Sequence, residues 1–89
     1  MKRIVFTFER LADQTHIHRL RNFGEDLFHA FRNDRHVLVD LDEIDRATER
    51  FSILVKHNRQ LRRILQAVDP VTAGHFPDRI AAISVDEVE

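Results

Sequence analysis

Eighty-nine residues with 14 basic, 15 acidic and 43% hydrophobic side chains have the balance of one globular domain, and the net charge of −1 lacks the basic excess of a dedicated nucleic-acid binder. The absence of cysteine excludes disulfides, thiolate metal sites and cysteine nucleophiles. The longest run free of Asp, Glu, Lys and Arg, Pro70 to Pro77, is eight residues against the ~20 of a membrane helix, and Met1-Lys2-Arg3 opens no signal-peptide run, so a cytoplasmic chain without membrane attachment is expected.

Lys2 to Arg10 alternates, with Ile4, Phe6 and Phe8 on one side and Arg3, Thr7 and Glu9 on the other, which predicts a half-buried strand. From Asp13 the period lengthens. Ile17, Leu20, Leu27 and Phe31 recur at spacings of three, seven and four, with Phe23 and Phe28 at the margins, as on one apolar helix face. Asp13 or Thr15 is placed to supply the N-cap oxygen, and Asn33-Asp34 to end the helix with a turn. Gly24 inside this helix costs ~1 kcal/mol relative to alanine, and a close approach to the sheet beneath would account for it.

His36 to Asp42 alternates again, with Val37, Val39 and Leu41 facing one way, followed by a polar turn from Asp42 to Thr48. The next segment has two readings. Phe51, Ile53 and Val55 alternate with Ser52, Leu54 and Lys56 as in a strand, while Ala47, Phe51, Leu54, Val55, Leu61 and Leu65 fit one long helix over residues 46–68. The strand is preferred, because aromatic and β-branched residues cluster where the alternation is strict and a helix would leave Ile53 on its polar side. From His57 or Asn58 a helix is clear, with Leu61, Ile64, Leu65 and Val68 on one face, until Asp69-Pro70 breaks it. Val71 to Asp78 reads as a loop, Arg79 to Val85 as a last strand, and Asp86 to Glu89 as a frayed acidic end.

The order strand, helix, strand, strand, helix, strand resembles the ferredoxin-like βαββαβ plait, an α+β fold with a four-stranded antiparallel sheet and two helices on one face. The alternative is βαβαβ with the long second helix. The plait hosts ligand sensors, RNA binders, metallochaperones and enzymes, so it does not by itself fix a function.

Few constellations carry chemistry. Glu25 and His29 are four apart and His16 and His18 two apart, neither of which assembles the three or four convergent ligands of a metal site. Asp40 and Asp42 share a strand face and could hold Mg²⁺, but a solvated turn explains them and is the preferred reading. No glycine-framed serine or phosphate-cradling loop occurs, and a pair such as His57 and Asp69 could meet only through tertiary folding. No catalytic residue, metal or cofactor is therefore assigned. The sheet face opposite the helices should carry Val5, Leu38, Leu54, Ile80 and Ala82, rimmed by Arg3, His36, Asp40, Arg50 and Lys56. Wet aliphatic side chains on a chain this small favour association. The expected function is a non-catalytic binding or regulatory module acting as a homodimer, with a small molecule or protein as further partner. Arg59, Arg62 and Arg63 form a basic helix face, and nucleic-acid or phosphate binding there is the alternative. Against RNA, the strand phenylalanines sit on the buried face rather than on an open stacking platform. A small plait-type enzyme or enzyme subunit is a further alternative.

Overall fold

The computed structural model describes residues 1–68 and 80–88. Its elements are β1 (Lys2–Phe8), α1 (Thr15–Phe31), β2 (Val37–Leu38), α2 (Leu41–Arg46), β3 (Arg50–Val55), α3 (Asn58–Val68) and β4 (Ile80–Glu87). The strands form one antiparallel sheet in the order β2-β3-β1-β4, which is the strand order of the ferredoxin-like plait. Residues 46–68 are thus a strand followed by a helix. Phe51, Ile53 and Val55 are buried as their alternation requires, and Ser52 and Leu54 lie half-buried on the other face. The long-helix alternative fails, since it would have exposed Ile53, which is 1% accessible.

β1 is the central strand. Its Ile4, Phe6 and Phe8 are buried and register opposite Ile53 and Phe51 of β3 on one side and Val85, Ile83 and Ile80 of β4 on the other. Phe6 meets Phe23 of α1 edge-on at 5.2 Å between ring centroids and Phe51 at 5.3 Å, and Phe8 meets Phe23 at 5.4 Å. Such offset and edge-to-face pairs add about 0.5–1.5 kcal/mol each to the burial itself. The stripe of α1 that enters this core is His16, Leu20, Phe23, Gly24, Leu27 and Phe31. Phe23 is therefore central to it, while Ile17 is half-buried at its margin. His16 takes the first position because its Nδ1 accepts a hydrogen bond from the backbone N–H of Leu11 at 3.0 Å, which satisfies a buried polar atom.

The start of α1 differs from the simple cap expected. Gln14 occupies the N-cap at φ 63°, a left-handed conformation that costs a non-glycine residue roughly 1 kcal/mol, and its side chain makes no cap. Asp13 acts from one residue earlier, its Oδ1 accepting from both the N–H and the hydroxyl of Thr15. Those bonds hold the Asp13 carboxyl below its ordinary range, so this contribution is present at neutral pH and fades as pH falls through the lowered value. At the far end Asp34 makes the expected turn, its Oδ1 accepting from the N–H of His36 at 2.9 Å.

Two expectations about the middle of the chain are corrected. The second strand is not His36 to Asp42 but only Val37–Leu38, and the polar turn is the helix α2. Asp40 decides this: its side chain caps α2 by accepting from the backbone N–H of Asp42 at 2.9 Å and of Glu43 at 3.4 Å. Acidic Asp42 and Glu43 in the first turn and Arg46 in the last suit the helix dipole. Ile44, taken as part of a polar turn, is fully buried. It also explains Gly24. A Cβ on Gly24 would stand 2.6 Å from Ile44 Cγ2 and 2.9 Å from Cγ1, so the close approach is to α2 and not to the sheet. At the other end of the chain, β4 extends through Asp86 and Glu87 rather than fraying, with Glu87 3.7 Å from Lys2 and the N–H of Val88 donating to the Met1 carbonyl. The expected break at Asp69-Pro70 and the loop from Val71 to Asp78 lie outside the described residues.

Two stability measurements check this architecture. In urea melts at concentrations where the chain is monomeric, Ile53→Asp loses on the order of 4 kcal/mol or more, and Leu54→Asp only about 1; comparable losses would contradict the strand register. Gly24→Ala loses about 1–3 kcal/mol despite alanine's helix propensity, because Ile44 has no room to yield. In an Ile44→Ala background the same substitution becomes neutral or stabilising, and an unchanged cost there would disprove the contact.

Candidate functional site

The sheet face away from α1 is built from three cross-strand rows. Leu38, Leu54, Arg3 and Asp86 form one; Ser52, Val5 and Ser84 the next; Arg50, Thr7 and Ala82 the third. The rows bring Val5, Leu38, Leu54 and Ala82 onto one face. Ile80 registers opposite Phe8, across a register shift between Thr7 and Phe8. The aliphatic surface is therefore concentrated at the β2–β3 side. There Leu38 is 46% exposed, with Leu54 and Val5 half-buried beside it, whereas Ala82 and Ser84 are small and exposed.

This aliphatic corner opens into a groove of about 1080 Å³, because β2 is so short. Beyond Leu54, β3 has no strand beside it on that edge, since the chain has already turned through Asp40 into α2. Glu43 substitutes for the missing strand: its Oε1 accepts from the Ser52 N–H at 3.3 Å and from the Ser52 hydroxyl at 3.2 Å. The groove is lined by apolar Val5, Leu38 and Leu54, by the cations Arg3, Arg32 and Arg50, and by Asp40, Asp42 and Glu43 at the start of α2. The Asp40–Asp42 pair considered for Mg²⁺ is thereby re-employed, since Asp40 Oδ1 already caps α2. Sequence reasoning missed this helix start. The signal was present as Asp40-x-x-Glu43 followed by apolar Ile44, a pattern that marks a helix start.

The basic face of α3 is partly spent on structure. Arg63 lies 3.6 Å from Asp34 and places its guanidinium over the Phe31 ring at 5.6 Å, while Arg59 and Arg62 are exposed. Of the histidine pairs weighed from sequence, His16 is buried and His18 exposed, and His29 stands edge-on to Phe28. His36 and His57, 21 positions apart, are instead brought into contact, with ring centroids 4.8 Å apart and planes at 63°. Among the described residues no three His, Asp or Glu side chains converge on one point. No described helix is long and apolar enough to cross a membrane. Compared with known protein families, curated proteins and solved structures, the chain matches none.

If Asp40 is the cap that ends β2, Asp40→Ala should lose about 1 kcal/mol in thermal or urea unfolding. Asp42→Ala, whose side chain makes no part of the cap, should lose less than about half of that. Equal losses would mean that general charge in the first turn, and not the cap, holds this helix start.

Proposed function

We propose that the chain is a non-catalytic binding or regulatory module that works as a homodimer, the second copy seating on the open sheet face around Leu38 and Leu54. The observation that carries this reading is the groove itself, an aliphatic sheet corner lined by both arginines and carboxylates. Large aliphatic side chains that rim a concave surface gain by being covered, at roughly 25 cal/mol per Å² of apolar area removed from water. The charge pattern supports a second copy in particular. A two-fold axis brings any surface patch against itself, so Arg3 and Arg50 of one copy can face Asp40, Asp42 and Glu43 of the other.

The binding role would follow from what the dimer leaves open, as a site for a small molecule or protein at the groove ends. Phosphate or nucleic acid on the basic helix is less well supported, because Arg63 is held by Asp34 and Phe31 and two exposed arginines remain.

Sedimentation equilibrium at micromolar concentration tests the association. The expected result is a dimer that Leu54→Glu converts to a folded monomer and that weakens with added salt. A wild-type monomer across the accessible range, or a Leu54→Glu variant that sediments as the wild type does, ends the proposal.

A further inference from the structure

We propose that His36 and His57 together bind one divalent transition-metal ion of the imidazole-seeking class, Cu²⁺ above Zn²⁺, with water completing its coordination. His36 immediately precedes β2 and His57 follows β3, so the hairpin-like pairing of these strands sets the distance between them. His36 is fixed on both sides of its peptide, its N–H donating to Asp34 Oδ1 at 2.9 Å and its carbonyl accepting from Lys56 at 2.9 Å. His57 immediately precedes α3, about one turn before the buried Gln60 and two before the buried Ile64.

Two independent observations point to a ligand between the rings. The first is their separation. With a metal–nitrogen bond of about 2.0–2.1 Å, two imidazoles sharing an ion have centroids about 4.5–5.2 Å apart for coordination angles from square to tetrahedral. The observed 4.8 Å lies inside that interval. The second is a missing partner. His36 Nδ1 is buried and makes no hydrogen bond, an uncommon state for a buried polar atom and one that an ion bound through Nδ1 would relieve. Half a turn of the exposed His57 ring about its Cβ–Cγ bond exchanges each nitrogen with a ring carbon while the centroid hardly moves, so a nitrogen can be turned toward either side.

The surroundings select the kind of ion. Lys56 and Arg59 are exposed nearby, and Asp34 is engaged with Arg63 and with the His36 N–H, so no free carboxylate among these residues draws in a hard cation. Ca²⁺ and Mg²⁺, which need oxygen ligands, are disfavoured. Ions that bond strongly to neutral imidazole tolerate the local positive charge best, and Cu²⁺ heads that order.

The test uses the untagged full chain and the metal salts alone. Calorimetric titration with Cu²⁺ should give one ion per chain, and the electron paramagnetic resonance spectrum of the complex should show two equatorial nitrogens. Zn²⁺ should compete for the site and Mg²⁺ should not. His57→Ala should weaken Cu²⁺ binding at least tenfold and leave a one-nitrogen spectrum. His36→Ala should do the same where circular dichroism shows it folded; His57 is exposed, so its variant decides the matter if His36→Ala does not fold. Replacing exposed His18 and His29 together should change nothing. Wild-type affinity in His57→Ala, binding that disappears with His18 and His29, or no Cu²⁺ uptake by the wild type would each overturn the proposal.

Discussion

The contact among Phe6, Phe51 and Phe23 is the constraint on which the rest depends. Each ring comes from a different element, β1, β3 and α1, and the centroids lie between 5.2 and 5.9 Å apart. Because side chains alternate along a strand, fixing Phe6 opposite Phe51 fixes which residues of both strands face the helix and which face outward. A one-residue slip of β3 against β1 would send Phe51, Ile53 and Val55 to the other face together. The outward composition of the sheet, with Leu38, Leu54, Val5, Arg3 and Arg50 at one corner, therefore follows from a packing decision made on the opposite face.

The second layer of organisation is the lodging of α2 against α1. Gly24 and Ile44 are mutually dependent: the glycine leaves a hollow one methyl deep, and Ile44 fills it. That lodging draws the chain out of the sheet after Leu38, which shortens β2 and uncovers the edge of β3. The groove is thus a by-product of helix packing on the far side of the strand, with Glu43 meeting the backbone donor of Ser52 that the lost strand leaves.

The strongly periodic parts were legible in the sequence. β1, β3, α1 and α3 were readable because each presents a repeated apolar spacing long enough to outvote its neighbours, and the strand order completed the plait. What escaped was short or polar. α2 has six residues and a single buried one, Ile44, too few for a helical period to register, and its evidence was a capping pattern instead. His16 was passed over because a polar residue does not advertise burial, and Gly24 was explained by the wrong neighbour because a glycine shows only that something comes close. The candidate site was half legible. The aliphatic corner of Val5, Leu38 and Leu54 follows from strand alternation. The pairing of His36 with His57 was invisible, since residues far apart in sequence and on no common element carry no spacing rule.

The shortness of β2 also bears on how this sheet can grow. Sheets polymerise when both outer strands offer long unpaired rows of amides and carbonyls, since each added copy then exposes a fresh template. Here one margin is a two-residue strand continued by a helix, with a carboxylate occupying the next donor. The other, β4, runs for eight residues and carries Ile83 and Val85, 36% and 40% exposed. Among the described strands only β4 offers a long edge, so an edge-to-edge joining through β4 would use up that template and leave the short β2 margin outermost.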